Sequence, residues 1–460
     1  MARPTITASA ATGETSRELP GWRSPRTRQL LARDMSAVWH PFTQQSTWEA
    51  DDPIVVDRAE GMYFWDTDGR RYLDGVSSLW VNVHGHAVPE INAAIKAQVD
   101  RLDHTTFLGL THEPGIELAE RLLATSPAGL ERVFFAGDGS SAVEAALKMA
   151  YQAQAQRGED RPYFVHVAEG YHGDTLGAVS VGGIDLFHAT YRPILLDTLA
   201  ISSPGVLEAG QARADRAVQV LDELAELMRR DGERVCAFVI EPLIQAAGGM
   251  LTHDPAFVAG ARKICDEYGV LLICDEVATG VGRTGTMWAV EQAGVSPDLL
   301  TCGKGLTGGY SALSAVMATE AVYDAFLGSP AQARTFFHGH SFTANPISCA
   351  AAIANLELMT QRDTVAHAAA LGELLGEWLR PTAALPAVRE VRRVGTMTGI
   401  EVEPVGERTG FEVCQRARRA GVWIRPLGDV VVIMPPLAMK PDQLRVLVDT
   451  VHDAIEAVTL

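Results

Sequence analysis

Between residues 131 and 319, short apolar runs alternate with stretches of helical period, and this alternation restricts the fold more than any other feature of the chain. VFFA, YFVHVA, VCAFVIEP, VLLICDEV, DLLTCG and SAVMAT read as strands. Ser141 to Ala155, residues 214 to 230 and Pro255 to Tyr268 read as helices between them. A strand that is apolar throughout must be covered on both faces, and a helix between successive strands supplies the crossover that parallel pairing needs. The expected class is therefore α/β with a mostly parallel sheet.

The flanks read differently. Residues 1–27 are rich in Ala, Thr, Ser, Arg and Pro without apolar period, and are expected to form a disordered tail. They hold no apolar core of a secretory signal, and Glu14 and Glu18 count against a transit peptide. IVVDRAEGMYFWDTDGRRYLDG reads as short strands joined at TDG, the N-terminal part (28–85) of a small domain. The large domain is expected over 86–345. A second small-domain segment follows over 346–460: a helical stretch from Pro346 to about 378, mixed strands, and a closing helix to 458.

Charge excludes some partners. The net charge is −18 at pH 7, which argues against nucleic acid or an anionic membrane, since both need a basic footprint. No apolar run approaches the roughly 20 residues needed to span a bilayer. The six cysteines form no CxxC pair, and Cys274 and Cys302 lie inside apolar strands. They read as small core residues of a reducing, cytoplasmic compartment.

Two of the buried strands end in charge. VLLICDEV ends at Asp275 and Glu276, and DLLTCG breaks at Gly303 and presents Lys304. Such a lysine can hold an aldehyde as a Schiff base, and such an aspartate can hold a protonated ring nitrogen. The chain has five lysines. Lys96, Lys148 and Lys263 sit in helical patterns and Lys440 precedes Pro441, so Lys304 alone follows a buried strand among glycines.

Other motifs are less decided. VFFAGDGSSAVEAALKMA runs from a strand through Gly137–Ser141 into a helix, with capping-box spacing at Ser141 and Glu144. Its free N–H groups and dipole suit a phosphate, but a plain capped helix reads as well. EGYHGDT (169–175) offers Tyr171 either to a flat ring or to a polar turn. Gly280–Gly285 spells GxGxxG after a strand, yet Asp275 and Glu276 beside it would repel a pyrophosphate, and a dinucleotide site is rejected. Arg283 there reads as a structural or carboxylate-facing charge. The HGH triplets at 84–86 and 338–340 read as hydrogen-bonded loop histidines, because no third ligand points to a metal. Arg425 in WIRPLGD is either a carboxylate clamp or a surface arginine.

Taken together, LLICDEVATGVGRTG, CGKGLTGGYSALSA, FFHGHSFTANP and IEPLIQAAGGM resemble the class III, fold-type I pyridoxal-phosphate aminotransferases, in order and spacing, over about residues 35–458. The resemblance implies a large domain around a seven-stranded, mostly parallel sheet, and a small α+β domain from both chain ends. It implies pyridoxal 5′-phosphate held covalently by Lys304, which also shuttles the substrate proton. Asp275 would pair with the ring nitrogen, with Val277 and Tyr171 on the two ring faces. Gly139, Ser140 and Ser141 would cradle the phosphate, and His172 and Glu241 would complete the cofactor's surroundings. His340 and Ser341 would come from the partner of a homodimer.

Within the family, WHPFTQ, SSLWVNVHGH, GYHGDTLGAVSVG and GVWIRPLGD are similar to the branch that aminates 8-amino-7-oxononanoate in biotin biosynthesis. That likeness implies Arg425 as the clamp of the substrate carboxylate, with Trp80, Tyr171, Asp174 and Gly339 around the substrate. Phe42 and Leu79 depart from the branch's usual Tyr and Trp. The amino donor is then lysine or S-adenosylmethionine, and the two changes lean toward lysine. The alternative is another class III ω-aminotransferase, acting on a diamine or an ω-amino acid.

Overall fold

A computed structural model describes residues 23–460, in two compact units. Most of the expected tail lies outside the described residues. Its last residues open the helix Pro25–Ala37, where Pro25 stands at the first helical position and the Ser24 hydroxyl accepts from Thr27 N–H at 3.2 Å. This helix belongs to the first unit, which takes in the chain to Ala59 and Phe64–Arg71. Within it, Asp34 accepts from the indole of Trp48 at 2.8 Å and from His40 at 2.9 Å.

The second unit holds Glu60–Tyr63 and Tyr72–Leu460. Its centre is a seven-stranded sheet of β1 (Leu130–Ala136), β2 (Tyr163–Val167), β3 (Leu199–Ile201), β4 (Val235–Ile240), β5 (Leu271–Asp275), β6 (Leu299–Cys302) and β7 (Ser314–Thr319). The order across the sheet is β1-β7-β6-β5-β4-β2-β3, and β7 runs antiparallel to both its neighbours. The other six strands therefore share one C-terminal edge. Open α/β sheets place their ligands at that edge.

Register sets the site. Asp275 pairs with Thr301 and Ile273 with Leu299, so Lys304, three residues past Thr301, follows directly beside the end of β5. The sheet is buried on both faces, as apolar β4 and β5 require. The helix Gly139–Gln156 packs on one face with Val239, Ile273 and Val316, and Arg213–Asp231 and Pro255–Tyr268 pack on the other with Phe238, Leu272 and Leu300. Toward the C-terminus, an antiparallel sheet carries Val388–Val394, Met397–Val402, Val430–Ile433 and Arg425–Leu427. Val422 and Trp423 pair in parallel with Leu73 and Asp74, which joins the two ends of the chain. No helix among the described residues is long and apolar enough to cross a membrane. All six cysteines are buried and unpaired.

Three local expectations are corrected. β3, three residues long, gave no periodic signal. The stretch from Pro346 is two helices, Pro346–Gln361 and Thr364–Trp378, broken where Asp363 takes φ +47°. The helix after β1 starts at Gly139 and is capped by Asp138, whose carboxylate accepts from Ser141 N–H at 2.9 Å. Glu144 is therefore free of the capping box, and accepts instead from Gly177 N–H at 2.7 Å.

The GVGRTG loop is structural. Arg283 is buried and donates to the Pro435 and Asn82 carbonyls at 2.7 and 2.6 Å. Burial pushes its guanidinium down to about 9. Glu276 points away from the strand edge and accepts from Ala289 N–H at 2.7 Å, Val290 N–H at 2.9 Å and the Thr279 hydroxyl at 3.1 Å. Glu276→Ala would orphan two buried amides. It is expected to cost about 2–4 kcal/mol, read as a lower urea midpoint. An unchanged midpoint would show that these bonds contribute nothing net.

Candidate active site

A cavity of about 450 Å³ opens at the C-terminal strand edge. Five of the six parallel strands deliver a wall there: Gly139 and Ser140 after β1, Tyr171 to Asp174 after β2, Glu241 after β4, Asp275 at the tip of β5 and Lys304 after β6. Trp80 and Val277 also line it. Ten of the residues expected at the site are thus brought together: Lys304, Asp275, Tyr171, Gly139, Ser140, His172, Glu241, Val277, Trp80 and Asp174.

Lys304 has left-handed backbone, φ +44°, and so does Trp80 at +66°. Such strain in non-glycine residues concentrates at functional sites, where surrounding structure holds it. The Lys304 ammonium lies 4.8 Å from the Trp80 ring centroid and makes no hydrogen bond among the described residues. Burial lowers its pKa, against the opposing pull of Asp275 and Glu241. A depressed amine is more often neutral, and so more often nucleophilic.

Asp275 is fixed by three donors. Oδ1 accepts from Val277 N–H and the Thr301 hydroxyl, each at 3.0 Å, and Oδ2 accepts from His172 Nδ1 at 2.8 Å. Burial alone would lower the pKa of His172, but the Asp275 hydrogen bond and charge raise it overall. Glu241 accepts from Tyr171 N–H and Ala246 N–H, both at 3.0 Å. Burial pushes its carboxyl up to about 7, with nearby His172 acting against that rise. Burial and the Asp174 carboxylate raise the Tyr171 phenol, which donates to Asp174 at 2.9 Å. Behind it, Phe187 meets the ring edge-on and His188 lies nearly parallel at 12°.

At the helix N-terminus the close approach is specific. A Cβ on Gly139 would stand 2.6 Å from Val277 Cγ1, so only glycine lets the loop pass that close to the valine. The loop and helix offer free N–H groups and a positive dipole end to an anion.

Seven expected residues do not line the cavity. Ser141 gives its amide to the Asp138 cap. His340 lies beside Gly137 of its own chain, with Nε2 3.3 Å from where a Cβ would be. Gly339, at φ +151°, and Ser341 are exposed next to it. Leu79 is exposed beside Trp80, Arg425 is exposed on its strand, and Phe42 belongs to the first unit. Three of the loop histidines have hydrogen-bonded rings: His84 to the Asn355 carbonyl, His86 to Asp74 and His338 to Lys148. The sequence reading missed Asp138, Thr175, Ala246, Ala247 and Ala278 in the wall. The alanines carry no chemical signal, whereas Asp138 and Thr175 stood inside quoted motifs.

Amine, carboxylate and anion cradle thus converge on one cavity, with the groups that an aldehyde, a pyridine nitrogen and a phosphate each require. Comparison with known proteins agrees. The class III aminotransferase profile matches residues 45–455. A relative from Nitratidesulfovibrio vulgaris, an adenosylmethionine-8-amino-7-oxononanoate aminotransferase, is 48% identical over 96% of this chain and 84% of its own. The enzyme of that name from Methanocaldococcus jannaschii superposes with TM-score 0.89 at 36% identity, over 94% of this chain and all (100%) of that one. An amine transaminase from an uncultivated Pseudomonas species, in its PLP-bound form, gives TM-score 0.86 at 33% identity, over 91% of this chain and 98% of that one. With Lys304 and Asp275 at adjoining strand ends and the profile spanning nearly the whole sequence, the chain belongs to the class III, pyridoxal-phosphate-dependent aminotransferases.

Proposed function

We propose that this enzyme transfers an amino group from a donor to 8-amino-7-oxononanoate, giving 7,8-diaminononanoate for biotin synthesis. One observation carries the reading beyond the family: the cavity that holds Lys304 also holds Asp174, its carboxylate fixed by the Tyr171 phenol at 2.9 Å. A substrate with an ammonium next to its reacting carbon finds its partner there. The name of the Nitratidesulfovibrio relative supports the same substrate.

When bound, the cofactor supplies the electron sink that lets a proton leave the carbon carrying the transferred nitrogen. Lys304 would hold the cofactor at its aldehyde carbon, and its amine would carry that proton. Asp275 would hold positive charge at the ring nitrogen, and His172 orients Asp275. Val277 and Tyr171 would flank the ring, Glu241 braces the Tyr171 backbone, and Gly139, Ser140 and Ser141 would bind the phosphate. Arg425 clamps the substrate carboxylate. Its neighbours Trp423 and Leu427 pack on the cluster of Trp80, Ala246 and Ala278, which line the cavity, and this supports its placement.

The enzyme works as a homodimer in a reducing cytoplasm, with His340 and Ser341 reaching the partner's site. The apolar side chains of Leu108, Leu110, Phe337 and Phe342 are exposed in the single chain, which favours their burial against a second copy. Light scattering at assay concentration should give twice the chain mass, and an active monomer would overturn this.

For the donor, Phe42 offers no hydroxyl and Leu79 no indole. A sulfonium nucleoside gains about 0.5–2 kcal/mol from an aromatic face, which lysine does not need. Lysine is expected to be the better donor, and Phe42→Tyr with Leu79→Trp to shift preference toward S-adenosylmethionine. The likeness to an amine transaminase keeps a second reading, an ω-aminotransferase of diamines or ω-amino acids. Half-reaction rates test all of this, with lysine or S-adenosylmethionine as donor and oxononanoate, pyruvate or 2-oxoglutarate as acceptor. Faster turnover of pyruvate or 2-oxoglutarate than of oxononanoate sinks the first reading. A wild-type preference for S-adenosylmethionine sinks the lysine hypothesis.

A further inference from the structure

We propose that Thr175 is a positioning residue for the cofactor phosphate: it occupies the Ser140 oxygen from two sides and so turns the single Ser140 proton into the cavity. The inference rests on the reading that Gly139 and Ser140 cradle the phosphate. Thr175 N–H donates to Ser140 Oγ at 3.1 Å, and the two hydroxyl oxygens lie 2.8 Å apart. A serine hydroxyl has two acceptor positions and one proton. With the Thr175 amide in one acceptor position and the Thr175 hydroxyl donating into the other, the Ser140 proton is left for an anion. If Ser140 donated to Thr175 instead, it would present the anion only lone pairs. An anion in the cavity therefore selects the first arrangement.

Thr175 is released for this work by its surroundings. It stands at the N-cap of the short helix Leu176–Ser180, where threonine commonly caps, yet its side chain makes no capping bond. Glu144 takes those amides, accepting from Gly177 N–H at 2.7 Å and Ala178 N–H at 3.3 Å. On the other side, Gly173 takes φ +121°, and a Cβ there would collide with Ser140. The segment 173–177 is thus seated along the first turns of the helix Gly139–Gln156, pinned at Ser140 and again at Glu144. Asp174 rides on this segment and Tyr171, two residues before it, donates to Asp174, so the phosphate cradle and the ring wall share one support.

The test is cofactor affinity, measured by absorbance titration of the full-length apoenzyme with pyridoxal phosphate. Thr175→Val should weaken binding about 3- to 10-fold, the scale of one hydrogen bond, and Thr175→Ser should restore it to within about 2-fold of wild type. In a Ser140→Ala background, Thr175→Val should add less than about 2-fold, because its effect runs through that hydroxyl. Full additivity, or a Thr175→Val variant that binds like wild type while Ser140→Ala binds weakly, overturns the proposal. If Ser140→Ala binds like wild type, the cradle reading fails, and the role of Thr175 with it.

Discussion

Lys304→Ala is expected to leave the fold intact and to lower transamination by about two to four powers of ten through the lost proton transfer alone. The fold is expected to survive because the Lys304 ammonium makes no hydrogen bond among the described residues, and alanine meets the same backbone strain at φ +44°. The other four lysines cannot substitute. Lys96, Lys148 and Lys263 lie on the helices Pro89–Arg101, Gly139–Gln156 and Pro255–Tyr268, and Lys440 caps the last helix. None of them lines the cavity. Borohydride reduction of the wild type, followed by peptide mapping, should place the cofactor on Lys304. A label on any other lysine overturns the assignment, and so does an alanine variant of near-normal rate.

The chemistry was legible because it sits where burial and charge conflict. An apolar strand that ends in Asp275, and another that breaks at Gly303 before Lys304, leave few other uses for these charges. The parallel sheet was legible because β4 and β5 are apolar on both faces. What stayed hidden depends on three-dimensional choice between local partners. Capping-box spacing pointed to Ser141 and Glu144, but Asp138 reached the amide first and freed Glu144 for Gly177. Glu276 looked like a neighbour of the site because it follows Asp275. Side chains alternate along a strand, and it turned inward to Ala289 and Val290 instead. Ala246, Ala247 and Ala278 shape the cavity by being small, which leaves no trace in a single sequence. Arg425 and Ser341 lie outside the cavity wall: WIRPLGD left Arg425 open between a clamp and a surface charge, and only the family resemblance pointed to Ser341.

Asp275→Asn should slow both half-reactions by several powers of ten, at roughly 1.4 kcal/mol per decade, while keeping the shape of the site. Its hydrogen bonds show why the change is not conservative. All three partners of Asp275 are donors: Val277 N–H and the Thr301 hydroxyl at Oδ1, and His172 Nδ1 at Oδ2. An asparagine has one oxygen to give them. If that oxygen stays with Val277 and Thr301, the amide nitrogen faces His172, and the ring must switch to the tautomer that accepts at Nδ1. The carboxylate that raised the His172 pKa is then gone while burial, which lowers it, remains, so the imidazole stays neutral to lower pH than in wild type. The ring nitrogen of the cofactor loses its counter-charge and the histidine loses its proton in one substitution. Two measurements separate these effects from simple damage: single-turnover rates for each half-reaction, and the pH titration of the His172 ring by NMR. A slowed enzyme with an unmoved His172 titration would mean that the pair is not coupled, and near-normal half-reaction rates would remove Asp275 from the mechanism.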